Sequence, residues 1–115
     1  LFSLEIYGGA MGFIKVASSN EIEPGRGKTV EVNGKTIAIL NDNGKFYAID
    51  DTCAHAGGSL GDGNCGSGIV TCPLHGWEYG LENGKNTFDS DVQLNVYDLK
   101  VEGEDIYVDI DKDVK

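Results

Sequence analysis

The amino-acid sequence predicts an all-β domain of antiparallel sheets, with one insert built largely of loops. Short runs rich in Val, Ile and Tyr alternate with Gly-containing turns, a pattern typical of β-strands joined by tight connections. The 17 Gly residues are scattered rather than periodic, and no segment has the apolar spacing of a helix of ordinary length. At 115 residues, the chain is expected to form one domain.

The domain is expected to span residues 11–115. Residues 1–10 precede Met11, are expected to be a leader or tag, and are left out of the fold prediction. Within the domain, we expect the insert at about residues 51–80, because this stretch is rich in Gly and poor in strand periodicity.

The chain begins with a predicted strand at residues 13–17. Residues 18–21 follow with the Ser-x-x-Glu pattern of a capping box, which predicts a single helical turn. Pro24-Gly25 then ends that turn.

A three-stranded meander is predicted next, at residues 28–32, 35–40 and 45–50. Asn33-Gly34 is a strong signal for a type I′ hairpin turn between the first two strands. Residues 41–44 supply the second turn. Their Asn-Asp-Asn-Gly sequence resembles part of a calcium loop, but the downstream spacing does not fit one.

Loops dominate the predicted insert. Residues 51–68 show little periodicity, residues 69–72 predict a short strand, and residues 75–80 predict a loop or bend. Residues 94–101 and 106–110 are then expected to close the domain as a hairpin.

Charge and cysteine content limit the partners and the compartment. The formal net charge is −10, which disfavours nucleic acid and anionic membranes as partners and favours a protein with a basic patch, although acidity also serves solubility. The odd number of Cys residues, three, argues against a disulfide framework. With no apolar run of transmembrane length and no basic signal sequence, a reducing cytoplasmic setting is expected.

Two compact Cys/His pairs carry the chemistry that the sequence predicts. They are Cys53-Ala54-His55 and Cys72-Pro73-Leu74-His75. Thiolates and imidazoles at such short spacing in bent loops can face one metal centre, and these soft ligands suit both iron–sulfur clusters and zinc.

In these pairs and their flanks the sequence resembles the Rieske family. The matching stretches are residues 53–58 and 72–77, together with residues 45–50 and 98–108. The resemblance implies a Rieske domain with a cluster-binding subdomain and one [2Fe–2S] cluster.

The resemblance also implies the ligands of the two irons. Cys53 and Cys72 would bind one iron, and His55 and His75 the other. Neutral imidazoles in place of two thiolates raise the reduction potential above that of plant-type ferredoxins, into a range of about −150 to +300 mV.

Four residues near the expected ligands narrow the expected range of the reduction potential. High-potential members of the family have a disulfide at the positions of Gly58 and Leu74, and a sulfur-bonding Ser at the position of Trp77. This chain lacks both features but keeps the Tyr, as Tyr79, so the lower half of the range is expected. As a further hypothesis, Tyr79 raises the potential by donating to a ligand sulfur.

Glycines beside the expected ligands also have a predicted role. Gly57, Gly58 and Gly76 would let the backbone pass close to the cluster, and Pro73 would stiffen the second loop. The remaining thiol, Cys65, lies outside the motif and is expected to be an incidental loop residue.

The function expected from the resemblance is a one-electron carrier rather than an enzyme. It would take electrons from a flavin-dependent reductase and pass them to a terminal oxygenase, as a monomer. Two alternatives stay open: a subunit similar to the small subunit of nitrite reductase, or of another larger redox enzyme, and a structural zinc module.

Overall fold

The structure is a computed structural model that describes residues 12–54, 57–74 and 76–113. Nine strands form in these residues, and we number them in chain order: β1 (Phe13–Ser18), β2 (Gly27–Val32), β3 (Lys35–Asp42), β4 (Lys45–Asp50), β5 (Asn64–Gly66), β6 (Ile69–Thr71), β7 (Glu78–Gly80), β8 (Val96–Glu102) and β9 (Asp105–Asp113). Two single turns of 3₁₀ helix, Ser19–Glu21 and Leu60–Asp62, are the helical elements of the same residues. The predicted all-β class is therefore confirmed.

Two antiparallel sheets make up the molecule. The larger has six strands in the order β1-β9-β8-β4-β3-β2, and the smaller has three in the order β5-β6-β7. The smaller sheet and the loops around it lie between β4 and β8 in the chain, so the insert interrupts the large sheet in sequence while β4 and β8 still pair.

Both turns of the predicted meander are present. Asn33 and Gly34 have φ of +49° and +84°, and Asn43 and Gly44 have φ of +54° and +99°. Positive φ at both central residues is what a type I′ turn requires, and Asn and Gly tolerate it best. The predicted helical turn is also confirmed, since Ser19–Glu21 forms one and the Ser18 N–H donates to the Glu21 carboxylate at 2.9 Å.

The structure corrects the prediction in the insert. Residues 75–80 were expected as a loop or bend, but Glu78–Gly80 is a strand, and Asn64–Gly66 is a further strand in the stretch expected to lack structure. Three-residue strands are too short to show an alternating pattern, so their pairing in the small sheet decides their conformation. The closing hairpin begins at Val96 rather than at residue 94.

Two hydrophobic cores lie on opposite faces of the central strands. Ile37 and Ile39 of β3 face one core, whereas Ala38 and Leu40 face the other. Because both faces are covered, β3 is a continuous apolar run rather than an alternating one. The second of these cores also contains Cys53 and Cys72, so the large sheet serves as the floor of the insert.

In the part of the chain that the structure describes, no helix is long and apolar enough to cross a membrane.

Candidate metal centre

Two loops of the insert bring Cys53 and Cys72 together. The first loop follows β4 and the second connects β6 to β7. Each cysteine is 1% exposed, and both belong to the same hydrophobic core. The Cys53 thiol is close enough to Cys72 to affect its pKa. Residues 19 positions apart in sequence thus place two sulfur atoms at one buried point.

Asp51 anchors the first loop to the large sheet. One of its carboxylate oxygens accepts hydrogen bonds from Thr29 Oγ1 at 2.9 Å, Ser59 Oγ at 3.0 Å and the Gly61 N–H at 2.8 Å. This side chain is 4% exposed, and a buried carboxylate needs several donors of this kind. The network therefore holds both ends of the loop that carries Cys53 against β2.

Tight backbone hydrogen bonds shape both loops around the cysteines. The Cys53 N–H donates to the Gly58 carbonyl at 2.8 Å, and the Cys72 N–H donates to the Trp77 carbonyl at 2.7 Å. Gly57 and Gly76 have φ of +73° and +71°, a region in which a side chain would be strained. A turn requirement at these two positions accounts for glycine there.

Gly58 and Leu74 bring the two loops into contact. A Cβ placed on Gly58 would lie 2.9 Å from Cys72 Sγ and 3.1 Å from Leu74 Cγ. Hence Gly58 and Leu74, the positions at which the resemblance implies a disulfide in high-potential members, are neighbours here, and Leu74 packs against Gly58. Leu74 itself remains 46% exposed at the surface of the second loop.

Tyr79 reaches the cysteine pair from β7. Its side chain is fully buried, its hydroxyl oxygen lies 3.4 Å from Cys53 Sγ, and it accepts a hydrogen bond from the Ala54 N–H at 3.1 Å. Since the Ala54 N–H is the donor in that second contact, the Tyr79 O–H is available to donate to the sulfur.

The two buried thiols resist losing their protons unless a cation is bound beside them. Burial raises the pKa of the Cys72 thiol, and the neighbouring Cys53 thiol raises it further. Burial, followed by the contact with Cys53, raises the pKa of Tyr79 to about 12. Two adjacent buried sulfurs can be thiolates together only if positive charge compensates them, as iron or zinc does. The donor set thus fits one iron of an iron–sulfur cluster.

The other predicted site residues have mixed outcomes. His55 and His75 lie outside the described residues, so their role as ligands stays a prediction. Trp77 is half-buried and packs against the core that holds the cysteines. Cys65 lies on β5 and packs against the same core, and its thiol donates to the Asn41 carbonyl at 3.2 Å.

Sequence reasoning missed three residues near the site: Asp51, Asn86 and Phe88. Asn86 is 3% exposed and pairs with Tyr79 in an isolated bridge, while Phe88 is 79% exposed. The Asn-Thr-Phe-Asp sequence has the side chains of a hydrogen-bonded turn, a signal that the prediction did not use.

The comparison with known proteins decides between an iron–sulfur protein and a zinc module. The Rieske [2Fe–2S] domain family matches residues 12–108 of the chain. The chain belongs to the Rieske [2Fe–2S] domain family. The predicted family is confirmed, and with it the presence of one [2Fe–2S] cluster as the cofactor.

Relatives of this Rieske protein match it over most of their length. It is 32% identical to the ferredoxin component of biphenyl 2,3-dioxygenase from Rhodococcus jostii (strain RHA1), with 88% of this chain and 95% of the relative covered. It is 34% identical to the biphenyl dioxygenase ferredoxin subunit of Pseudomonas sp. (strain KKS102), with 89% and 95% covered.

Solved structures share the fold of this Rieske protein. A chain in the complex of reduced oxygenase and oxidized ferredoxin of carbazole 1,9a-dioxygenase is 28% identical, with 85% of this chain and 93% of that chain covered and a TM-score of 0.75. The nitrite reductase small subunit from Mycobacterium tuberculosis has a TM-score of 0.76 with 84% and 92% covered, but at 23% identity it shows the fold alone.

Proposed function

We propose that this Rieske protein is a one-electron carrier that receives electrons from a reductase and passes them to a terminal oxygenase. The observation that carries this proposal is the match to ferredoxin components of dioxygenases over nearly their whole length. The complex of oxygenase and ferredoxin in carbazole 1,9a-dioxygenase supports a partner of the same kind here. The carrier itself is proposed not to be an enzyme.

The proposed ligands are Cys53 and Cys72 on one iron and His55 and His75 on the other. When bound, a [2Fe–2S] cluster would accept one electron from the reductase and release it to the oxygenase. The buried pair of cysteines supports the first half of this assignment, and the spacing of the two motifs supports the second. The fold keeps water from the sulfur side, and Tyr79 directs a hydrogen bond at Cys53 Sγ.

Docking is proposed to use the apolar residues exposed near the two loops. Leu74 is part of the second loop, and Phe88 follows Thr87, whose N–H donates to the carbonyl of Glu78 on β7 at 3.0 Å. Acidic residues, Asp89 and Asp91, are exposed in the same turn, whereas residues 46–84 contain no Lys or Arg. A partner surface with an apolar centre and basic rim would match this face.

The test is electron transfer from the reduced protein to the terminal oxygenase of a biphenyl dioxygenase, followed in a stopped-flow spectrometer. We expect transfer to slow as salt is raised, and to slow further in Phe88→Ser. Val101→Ser is the matched control, because Val101 is also an exposed apolar side chain but lies on β8. Absence of any transfer, or equal loss in both variants, would contradict the proposed docking.

A cytoplasmic location is part of the proposal. None of the three cysteines, all of which lie in the described residues, forms a disulfide, as is typical of proteins in a reducing compartment. Nitrite reductase small subunits stay the second candidate only at the level of the fold, because the ferredoxin relatives match at higher sequence identity.

A further inference from the structure

Asn86 links a surface turn to the buried site. Its side-chain oxygen accepts hydrogen bonds from the Phe88 N–H at 2.8 Å and the Asp89 N–H at 2.9 Å. The backbone N–H of Asn86 donates to the Val92 carbonyl at 2.9 Å. The carboxamide oxygen therefore holds the turn that displays Phe88, while the side chain as a whole is buried beside β7.

The other end of the carboxamide has a different environment. Asn86 Nδ2 is buried and has no hydrogen-bond partner within the described residues. A buried amide N–H without an acceptor is costly, so a nearby acceptor is expected. Asn86 faces Tyr79 across an isolated β-bridge. Both side chains are buried, with Asn86 3% and Tyr79 0% exposed, so the carboxamide and the phenol share one buried face of this bridge.

The phenol oxygen has a fixed number of hydrogen-bonding positions. It carries one hydrogen and two lone pairs. The Ala54 N–H occupies one lone pair at 3.1 Å. If Asn86 Nδ2 occupies the second, the hydroxyl hydrogen has one direction left, towards Cys53 Sγ at 3.4 Å.

We propose that Asn86 is a positioning residue that orients the Tyr79 hydroxyl to donate to Cys53 Sγ and so tunes the reduction potential. The inference rests on the proposed function, because it requires Cys53 to be an iron ligand. A donor to a ligand sulfur stabilises the reduced, more negative state, so its loss lowers the potential. The same carboxamide would make the potential sensitive to displacement of the Phe88 turn.

The test is a double-mutant cycle on the holo protein with Asn86→Ala and Tyr79→Phe, measured as reduction potentials by electron paramagnetic resonance titration. We expect Asn86→Ala to lower the potential when Tyr79 is present and to leave it unchanged in the Tyr79→Phe background. Equal shifts in both backgrounds would overturn the inference, because Asn86 would then act without Tyr79.

Two further variants separate orientation from loosening of the turn. Thr87→Ala removes a different bond of the same turn, from Thr87 Oγ1 to the Glu78 carboxylate at 3.2 Å, and is expected to leave the potential unchanged. Asn86→Asp keeps the oxygen that holds the turn but loses the amide donor. Asn86→Asp therefore replaces Asn86→Ala in the cycle if Asn86→Ala does not assemble a cluster. A larger fall in reduction potential with Tyr79 present than in the Tyr79→Phe background supports the inference. An equal fall in both backgrounds overturns it.

The proposed function and the role of Asn86 can be refuted by different results. A wild-type protein without the Rieske signal would overturn the proposed function, and this inference with it. A normal wild-type signal with additive shifts in the cycle would overturn the role of Asn86 alone.

Discussion

Tyr79 is the residue whose contact most directly bears on the reduction potential. In Tyr79→Phe the buried site keeps its shape but loses a donor to Cys53 Sγ. A hydrogen bond to a charged group is worth about 1.5–3 kcal/mol, and 59 mV corresponds to about 1.4 kcal/mol for one electron, so the potential is expected to fall by at most roughly 130 mV. Protein-film voltammetry measures this shift, and an unchanged potential would refute the role of Tyr79.

Cys65 is predicted to be an unreactive thiol. Burial, followed by the charge of Asp42, raises its pKa from 9.0 to about 11, so its thiolate fraction at neutral pH is about a hundredfold lower than that of an unfolded cysteine. Alkylation by iodoacetamide at pH 8, followed by peptide mass spectrometry, is expected to be correspondingly slow in the folded protein and fast in urea. Comparable rates in both states would contradict this environment.

The same shift predicts a pH dependence of stability. The folded thiol binds a proton more tightly than the unfolded one, so the folded state holds more protons between pH 9 and 11. This contribution is present below about pH 9 and is lost as the pH rises towards 11. Denaturant unfolding of wild type and Cys65→Ser at several pH values isolates this contribution. The free energy of unfolding of the variant should lack the decrease between pH 9 and 11 that Cys65 causes in wild type.

At the residue level, site residues that belong to a motif of fixed spacing could be predicted from the sequence. Site residues whose role depends on packing could not. The Cys53 and Cys72 pair follows from two short motifs, and the structure brings these residues together. Asp51 and Asn86 carry no such motif, because their importance comes from donors contributed by distant strands and turns. Ligation by His55 and His75 stays a prediction.

At the level of elements, the attachment of the first loop to β2 is the feature most open to test. Asp51→Ala would leave the buried Gly61 N–H without its acceptor, whereas the hydroxyls of Thr29 and Ser59 lie 2.9 Å apart and can bond each other. An unsatisfied buried donor costs about 1–3 kcal/mol, so we expect the free energy of unfolding to fall by about 1–3 kcal/mol.

Asp62→Ala is the matched control for that change. Asp62 is an exposed aspartate in the adjacent 3₁₀ turn, and its loss is expected to alter stability by no more than about 0.5 kcal/mol. Urea unfolding followed by circular dichroism compares the two variants. Equal effects of both changes would show that the anchor adds no stability.

Elements defined by turn chemistry were predictable, and elements defined by their partners were not. Asn33-Gly34 fixes a hairpin locally, because both residues tolerate positive φ. The strand Glu78–Gly80 exists because it pairs with β6, and three residues alone do not specify it. The insert was therefore foreseen as a loop region, but its small sheet was not.

At the scale of the whole molecule, one hydrophobic core stabilises the scaffold and the other supports the site. One core lies within the large sheet, and the other joins that sheet to the insert and contains the cysteine pair. The formal net charge of the whole chain is −10, which favours encounter with a basic partner. The expected monomeric state stays a prediction, which light scattering can test.

The measurement that tests the central claim most directly is electron paramagnetic resonance of the dithionite-reduced protein, with iron and zinc assayed on the same sample. We predict two irons per chain and a rhombic S = ½ signal whose average g value is lower than that of all-cysteine [2Fe–2S] clusters, because imidazoles bind one iron. Pulsed measurements should detect coupling to two imidazole nitrogens, of which one is lost in each of the single variants His55→Cys and His75→Cys. A signal of the all-cysteine type in wild type, or one zinc per chain without iron, would contradict the Rieske assignment of Cys53, His55, Cys72 and His75.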